Sequence, residues 1–421
     1  MRFLYILIAY LLTPIACSIL LWRGLHDRSY WENFRERFGF GQAVSGQKSI
    51  WVHAVSVGEV QAAVALVKEL RRRYSGVPIV LTTVTTTGAQ RARAVFGDSV
   101  DVRFIPYDLP GAVWRFFNRV RPRVAIILET ELWPNLYAEC GRRRIPLVLA
   151  SARISPRSVG RYRMLAALFR ETLSHGIMIA AQSPGDAERF RSIGASAERT
   201  HVTGNIKFDL SLPADVQPLG RALRLQHAPQ RALWVAGSTH SGEELLVLDA
   251  QRQLRAMGTD ALLILVPRHP NRFADVAQLL SRQNVNFVRR SSGVTASAAT
   301  QVLLGDTLGE LITFYAAADA AFVAGSLVPI GGHNLLEPAA LGIPIVTGPH
   351  NFNSADIAQL LLEAGGAEVV QDAAQLAAAL RRLLADPQLR KRRGDAARST
   401  LDANRGALSR LLTLLEPVIR E

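Results

Sequence analysis

The pattern of apolar and polar positions separates an apolar N-terminal segment from a long series of short apolar runs. In the first half of the chain these runs are rich in β-branched residues and alternate with stretches of helical spacing. They cover Ile50–Val55, Ile79–Val84, Val124–Leu128, Leu147–Ala150 and Ile177–Ala181. Short continuous apolar runs predict buried strands, and the helices between them predict a parallel sheet covered on both faces.

A second series of apolar runs begins after residues 211–229, a polar stretch with three prolines. Its predicted strands are Leu233–Ala236, Leu262–Val266, Gln301–Leu304, Ala320–Val323 and Ile345–Val346. We therefore predict two Rossmann-like, doubly wound α/β domains, at residues 25–212 and 230–421, joined by a linker at 213–229. Domains of this class bind ligands at the carboxyl ends of their strands, so we expect the working site in a cleft between them.

The N-terminal segment is long enough to cross a membrane. Residues 3–22 carry no charge, and about twenty apolar residues are what a helix needs to cross the hydrocarbon core. Basic residues are denser after the segment than before it, which predicts that the body of the protein lies on the cytoplasmic side. We predict that residues 1–24 form an uncleaved, single-pass anchor. A helix that lies in the membrane interface is the alternative.

The charge balance predicts an anionic partner. Lysine and arginine number 49 against 35 aspartates and glutamates, a net charge of +14. Such a chain attracts nucleic acid, anionic lipid or a phosphorylated glycolipid. The two cysteines, Cys17 and Cys140, allow no disulfide framework and have the spacing of neither a zinc site nor a redox pair. A reducing cytoplasm suits this composition.

Three candidate motifs follow predicted strands of the first domain. Ser56–Glu59 opens a helix after the first strand, where Glu59 can face a ligand; a plain helix start with an acidic residue is the alternative. Glu129 and Glu131 follow the strand at 124–128. Pro134 can begin the next helix with Glu131 near its N-terminus, which leaves Glu129 as the candidate site carboxylate. Further on, Lys207 follows a glycine turn and could reach a phosphate as a point charge.

Four loops of the second domain also follow predicted strands. The small residues at 237–240 precede a helix and form a candidate anion site. Arg268 comes directly after a strand, and an arginine there can bind phosphate bidentately. Residues 305–310 again join a strand to a helix. At 331–338 paired glycines permit close backbone approach, and Glu337 can accept hydrogen bonds from ribose hydroxyls.

Several familiar motifs are absent from the sequence. We find no GxxxxGK[ST], no HExxH, no DxD pair and no GxSxG. This excludes P-loop enzymes, zincins, metal-dependent glycosyltransferases of the DxD type and hydrolases with a nucleophile elbow.

Taken together, six motifs resemble the Kdo (3-deoxy-D-manno-octulosonic acid) transferases of lipopolysaccharide biosynthesis. They are HAVSVGE at 53–59, ETELWPN at 129–135, GNIKFD at 204–209, LVPRHP at 265–270, GDTLGEL at 305–311 and GGHNLLEP at 331–338. The likeness runs in order over nearly the whole chain and includes the N-terminal anchor.

The resemblance implies an inverting glycosyltransferase of the GT-B architecture that uses no metal and no other cofactor. Glu59 is similar to the general base of that family, and Glu129 and Lys207 match positions that stabilise the transition state. Contacts with the cytidine nucleotide are implied for Pro267, Arg268, Leu308, Gly309, Glu310, Asn334, Leu335, Leu336 and Glu337.

The resemblance also implies the partners and the location. The donor is CMP-Kdo, and the acceptor is the tetraacyl disaccharide precursor of lipid A. The protein is expected at the cytoplasmic face of the cell inner membrane, in contact with its lipids and not with nucleic acid.

Three other functions compete with this hypothesis. A GT-B transferase with a uridine donor and a polyprenyl-linked acceptor would have the same architecture. A membrane-tethered module that only binds polyanions would show salt-sensitive binding without turnover, but it leaves Glu59 and Glu337 without a role. An oxidoreductase is disfavoured because no GxGxxG follows a predicted strand.

Overall fold

Two units, each built around a seven-stranded parallel sheet, make up the described part of the chain. The computed structural model describes residues 2–155, 159–160, 168, 171–172 and 176–420. The first unit comprises Met1–Asp209 with Arg405–Glu421, and the second comprises Leu210–Asn404. Neighbouring strands run parallel in both sheets, as the continuous apolar runs predict.

In the first unit the strand order reverses between β1 and β4. Its strands are β1 Ser49–His53, β2 Ile79–Thr83, β3 Asp101–Phe104, β4 Pro122–Leu128, β5 Leu147–Ala152, β6 Met178–Ala181 and β7 Thr200–Val202, in the order β3-β2-β1-β4-β5-β6-β7. Its helices before residue 210 include α1 Arg2–His26, α2 Val57–Arg73, α3 Thr86–Phe96, α4 Pro110–Val120, α5 Pro134–Arg142 and α6 Pro184–Ser192. A reversal of strand order in an open parallel sheet opens a crevice at the carboxyl ends of the two strands, where ligands bind.

Helix α2 shows how the apolar spacing fixes the packing. Its buried residues are Val60, Ala63, Leu66, Val67 and Leu70, three or four positions apart, so they form one face against β1 and its neighbours. Leu66 is fully buried in this core. Truncating such a leucine to alanine costs about 2–5 kcal/mol, so this contact holds the start of α2 beside the sheet edge.

In the second unit the order reverses between β8 and β12. The strands are β8 Ala232–Thr239, β9 Ala261–Pro267, β10 Phe287–Arg289, β11 Val302–Leu304, β12 Ala320–Val323, β13 Ile345–Thr347 and β14 Ala367–Val369, in the order β10-β11-β9-β8-β12-β13-β14. The helices are α7 Val216–His227, α8 Glu243–Ala256, α9 Phe273–Arg282, α10 Leu311–Ala317, α11 Leu336–Leu341, α12 Ala355–Glu363, α13 Ala373–Ala385 and α14 Pro387–Ala403. The carboxyl ends of β8 and β12 are therefore the expected ligand position of this unit.

The ends of the second unit differ from the predicted boundaries. The last helix, α15 Ala407–Arg420, belongs to the first unit instead of the second. Its residues Leu411, Leu412, Leu415 and Ile419 join the core around α2, and Asp209 accepts hydrogen bonds from the backbone N–H groups of residues 406 and 408. The apolar spacing of this helix is the same whichever sheet it covers, so the sequence pattern could not assign it.

The predicted linker is also partly structured. Residues 216–227 form α7, which packs against α10 within the second unit. The side chain of Arg224 donates to the carboxylate of Asp319 at 2.8 Å and to two backbone carbonyls, of residues 231 and 317. Pro218 lies in the first turn of this helix, where a proline costs little, so a proline-containing stretch is compatible with helix here.

Helix α1 contacts the first unit near both of its ends. In its first turns, Arg2 donates to the side chain of Asn135 at 3.2 Å, and the Tyr5 hydroxyl donates to Asp108 at 2.9 Å. Near its last turn the Trp31 indole donates to the carbonyl of Leu21 at 3.2 Å. The helix has 25 residues and is long and apolar enough to cross a membrane by length and composition.

Candidate active site

The three motifs of the first domain meet at the carboxyl edge of its sheet. Ser56 ends the extended segment after β1 and begins α2, which places Glu59 in the first turn of that helix. Glu129 follows β4, the other strand at the reversal, and its φ of +58° ends the strand. Lys207 lies in the short helix Ile206–Asp209. The predicted site residues of this domain are therefore brought together by the fold.

The carboxyl group of Glu59 is held in an environment that favours its protonated form. One of its oxygens, Oε2, accepts a hydrogen bond from the backbone N–H of Val55 at 2.8 Å. The pKa of Glu59 is raised to about 8, mainly by burial and in part by the charges of Glu129 and Glu131. The Val55 hydrogen bond and the charge of Lys207 act in the opposite direction. A carboxyl group that titrates near neutral pH can take and release a proton during turnover.

Glu129 and Lys207 form an ion pair beside Glu59. The Lys207 ammonium lies 2.6 Å from Oε1 of Glu129, and each side chain is 22% exposed. The lysine is oriented locally, because its backbone N–H donates to the side chain of Asn205. At this exposure the pair keeps access to solvent and to a ligand, so the ammonium can respond to charge that develops close to it.

Glu131 is a third carboxyl group at this edge, which sequence reasoning placed only near a helix start. Helix α5 does begin at Pro134, but Glu131 Oε2 accepts a hydrogen bond from the indole of Trp133 at 2.8 Å. The pKa of Glu131 is raised to about 7, mainly by burial and in part by the charge of Glu129, against a lowering effect of the hydrogen bond from Trp133. Two carboxyl groups with raised pKa values therefore flank the Glu129–Lys207 pair.

In the second unit the loops after β8, β9 and β12 meet at the corresponding edge. The backbone N–H of Arg268, directly after β9, donates to the carbonyl of Thr239 at 3.0 Å. Among the residues that the structure describes, the guanidinium of Arg268 forms no hydrogen bond or ion pair with another side chain or carbonyl, and it is exposed. Its neighbour Pro267 is the last residue of β9. An exposed arginine at a strand end can bind a phosphate with parallel hydrogen bonds.

The residues predicted at 308–310 have different environments. Leu308 is 75% exposed, and Gly309 has a φ of +84°, which favours glycine. Glu310 instead forms an ion pair with Arg290 at 2.7 Å and accepts a hydrogen bond from Thr307. Its carboxylate is thus already engaged by a guanidinium, and a nucleotide would contact this loop through backbone groups or exposed Leu308.

The segment at 334–337 is held by its own side chains. Asn334 donates to Oε1 of Glu337 at 3.1 Å and accepts a hydrogen bond from the backbone N–H of Leu336 at 3.1 Å. Leu335 and Leu336 are buried, whereas Asn334 is exposed. Only the two polar side chains of this predicted group are therefore available to a ligand, and the leucines anchor the loop.

Two histidines at this edge were not among the predicted site residues. His240 follows β8 and His333 follows the paired glycines, and their nearly parallel rings meet through their Nε2 atoms, with centroids 5.0 Å apart. His240 lay within a loop that the sequence marked as a candidate anion site, but nothing in the sequence pairs it with a residue 93 positions away.

Comparison with known proteins identifies the family. Residues 32–210 match the family model described as 3-deoxy-D-manno-octulosonic-acid transferase (kdotransferase), and residues 234–400 match glycosyl transferases group 1. A 3-deoxy-D-manno-octulosonic acid transferase of Haemophilus influenzae is 41% identical over 421 residues, which is 99% of each chain. That of Bordetella pertussis is 38% identical and covers 96% of this chain and 97% of its own. The chain belongs to the Kdo transferases. It is therefore a glycosyltransferase that transfers Kdo in lipopolysaccharide biosynthesis, as the six motifs predicted.

Solved structures of low sequence identity share the fold of this Kdo transferase. A putative UDP-N-acetylglucosamine 2-epimerase from Listeria monocytogenes is 12% identical with a TM-score of 0.59, covering 88% of this chain and 96% of its own. MurG from Acinetobacter baumannii is 14% identical with a TM-score of 0.56, covering 88% of this chain and 100% of its own. These likenesses confirm the prediction of paired Rossmann-like domains of the GT-B type.

Within residues 2–155, 159–160, 168, 171–172 and 176–420, no three His, Cys, Asp or Glu side chains form a group that could hold a metal ion.

Proposed function

We propose that this Kdo transferase moves Kdo from CMP-Kdo to a hydroxyl of the tetraacyl disaccharide precursor of lipid A, with inversion at the anomeric carbon. The observation that supports this most strongly is Glu59, a carboxyl group with its pKa raised to about 8 beside a Glu129–Lys207 ion pair. These groups lie at the strand reversal, where open α/β sheets bind ligands.

In the proposed step, ionised Glu59 accepts the proton of the acceptor hydroxyl while the hydroxyl oxygen attacks the anomeric carbon of Kdo. The bond from that carbon to the donor phosphate breaks, and its electron pair leaves with the phosphate of CMP. Attack and departure on opposite sides of the carbon invert its configuration. A positioned base of this kind contributes roughly 100-fold to 10,000-fold to the rate.

Lys207 and Glu129 are proposed to stabilise the transition state. Glu129 fixes the ammonium of Lys207 at 2.6 Å, so that the cation is ordered before substrate arrives. A preorganised charge costs no reorganisation as charge develops, which makes it more effective than a mobile one. No metal is assigned a step in this proposal.

The nucleotide is proposed to bind in the second unit, at Pro267, Arg268, the loop 308–310 and the segment 334–337. Exposed Arg268 supplies the cation for the donor phosphate, while Asn334 and Glu337 supply polar groups for the ribose. The ion pair of Glu310 with Arg290 holds the loop and leaves the carboxylate less available than the sequence suggested.

The acceptor and the location are proposed from α1 and the charge. The apolar side chains exposed on α1 include Phe3, Leu4, Leu7, Leu11, Leu12, Ile15, Leu21 and Trp22. A helix of this character, on a protein with a net charge of +14, fits a membrane that carries anionic headgroups and a phosphorylated lipid acceptor. We place the enzyme at the cytoplasmic face of the cell inner membrane.

One assay tests the proposal. Purified full-length enzyme is incubated with CMP-Kdo and tetraacyl lipid A precursor in detergent micelles, with UDP-N-acetylglucosamine as the competing donor, and products are read by mass spectrometry. We expect a mass increase of one or more Kdo units, dependent on CMP-Kdo and abolished in Glu59→Gln. Transfer from the uridine donor alone would overturn the proposed donor.

A further inference from the structure

At the strand reversal of the second unit, the side chains of a basic cluster have no acidic partner among the described residues. His240 and His333 approach to 2.8 Å between their Nε2 atoms, and their rings are nearly parallel, at 4°. His269 meets His240 edge to face, with centroids 5.5 Å apart. His269 directly follows Arg268 in the chain, so four basic side chains come from three loops.

The loop at residues 325–327 is held in place by Glu243 and lies close to the ring of His333. Glu243, at the start of α8, is fully buried, and its carboxylate accepts hydrogen bonds from the backbone N–H groups of Gly325, Ser326 and Leu327 at 2.7, 3.1 and 3.0 Å. Gly325 has a φ of +70°, and a Cβ there would lie 2.8 Å from the ring of His333. The hydrogen-bonding capacity of the Glu243 carboxylate, the closest in sequence to His240, is thus taken by the backbone of the loop at residues 325–327.

The electrostatics of the cluster lack a negative charge. The pKa of His333 is lowered to about 3, mainly by burial and in part by His240, Arg268 and His269. Burial also lowers the pKa of His240, again assisted only by the cationic groups His269, Arg268 and Arg272. Arg272 itself is paired with Glu244. In the part of the chain that the structure describes, the charged groups that shift the pKa values of these two imidazoles are all basic. An anion bound here would be stabilised by the Arg268 guanidinium and by any imidazole that takes up a proton.

The contact between the two Nε2 atoms defines the hydrogen positions of the pair. When both rings are neutral, one Nε2–H donates to the other Nε2, which leaves one Nδ1 as a donor and the other as an acceptor. One added proton turns the acceptor Nδ1 into a donor and keeps the bond between the rings. In the described part of the chain neither Nδ1 has a hydrogen-bond partner, because the contact between the rings uses Nε2 of both. A singly protonated pair can thus donate twice to an anion.

We propose that His240 and His333 bind the phosphate of the cytidine nucleotide as a proton-sharing pair and take up one proton when that phosphate carries two negative charges. The inference rests on the proposed function, because it assigns the pair to the donor site beside Arg268. In transfer, the phosphate gains a negative charge when its bond to the anomeric carbon breaks. The pair then supplies a compensating positive charge where the leaving group is formed.

The test is calorimetry of the full-length enzyme with CMP, cytidine and inorganic phosphate, over pH 5.5 to 8.5 and in buffers with different ionisation enthalpies. The wild type is expected to take up protons on binding CMP beyond those that the nucleotide itself gains, and none on binding cytidine. For His240→Asn and His333→Asn we expect CMP affinity to fall about tenfold to a hundredfold, as for the loss of charge-assisted hydrogen bonds. Their excess proton uptake should disappear, while cytidine affinity changes less than about twofold.

His201→Asn is the matched control, because His201 is exposed on the edge strand β7 of the first unit. It should bind CMP with the affinity and proton count of the wild type. Histidine variants of the pair that behave like this control would overturn the inference, as would wild-type enzyme that binds CMP without excess proton uptake. The wild-type proton count decides even if a variant fails to fold. Wild-type enzyme that binds no CMP at all would instead refute the proposed donor.

Discussion

Replacing Glu59 with glutamine should separate catalysis from stability, because we propose this carboxyl group as the general base and its burial also affects the stability of the fold. Glutamine keeps the shape and can still accept the hydrogen bond from Val55 that Glu59 accepts at 2.8 Å. It cannot take a proton from the acceptor hydroxyl, so turnover should fall by roughly 100-fold or more. In the wild type, kcat/KM should rise with pH up to an apparent pKa near 8, because the ionised form is the base.

Although Glu59→Gln should lose turnover, its free energy of unfolding should rise relative to that of the wild type as pH increases. The pKa of Glu59 is raised from its ordinary 4.5 to about 8, so the folded state binds more protons than the unfolded chain between these values. Wild-type stability is therefore lost as pH rises through that window, by up to about 4 kcal/mol between pH 5 and pH 9 at 1.36 kcal/mol per pKa unit. Glutamine does not ionise. We expect Glu59→Gln to gain stability relative to wild type as pH rises.

The assay is urea unfolding at pH 5, 7 and 9, together with transfer rates, for Glu59→Gln, Glu59→Asp and the control Glu69→Gln. Glu69 lies on the same helix, α2, but is paired with Arg72 and Arg73 near its end. The control should keep full turnover, and aspartate should keep part of it. A folded and fully active Glu59→Gln enzyme would refute the general-base role. A stability difference that stays constant from pH 5 to pH 9 would refute the burial argument for its pKa.

Three further predictions follow from the second unit and from α1. Arg268→Ala should weaken CMP binding about tenfold to a hundredfold in calorimetry. Arg282 is exposed at the end of α9, so the control Arg282→Ala should bind CMP like the wild type; equal affinities of the two variants would remove Arg268 from the site. Gly325→Ala should cost roughly 1–3 kcal/mol in thermal unfolding, because alanine at a φ of +70° is strained and its Cβ meets His333; an unchanged melting temperature would show that the loop relaxes. Removing residues 1–24 should leave a folded enzyme with lower turnover on acceptor embedded in vesicles; equal turnover and membrane binding would show that α1 is not the main anchor.

The interior strands could be predicted from the sequence, but the sheet edges could not. All ten predicted strands are present, and the four that were missed are β3, β7, β10 and β14. These are the outermost strands of the two sheets. Interior strands of a parallel sheet are covered on both faces and read as apolar runs, whereas an edge strand such as Asp101–Phe104 begins with an exposed charge. Because edge strands contain polar residues, they do not form the continuous apolar runs from which the interior strands were predicted.

The candidate site was predictable where one motif carries the chemistry and not where two distant segments share it. Glu59 could be proposed as a site residue because it follows a strand and begins a helix within one short motif, while its role as the base came only from the resemblance to the Kdo transferases. The pairing of Glu129 with Lys207 joins residues 78 positions apart, and that of His240 with His333 joins residues 93 positions apart. Such contacts are set by the order of strands in the sheet. The raised pKa of Glu131 likewise depends on burial that its sequence neighbours do not reveal.

The contacts of α1 favour a helix that lies in the membrane interface over one that crosses the bilayer. A helix of 25 residues is roughly 37 Å long at 1.5 Å per residue. If it crossed the membrane, its first turn would lie on the opposite side from the body of the protein. Tyr5 in that region donates instead to Asp108, and Asp108 also accepts hydrogen bonds from the backbone N–H groups of Asn135 and Leu136 at the start of α5. The helix that exposes the apolar surface is therefore bonded to the segment that follows Glu129 and Glu131, which suits an enzyme whose proposed acceptor hydroxyl lies at the membrane surface.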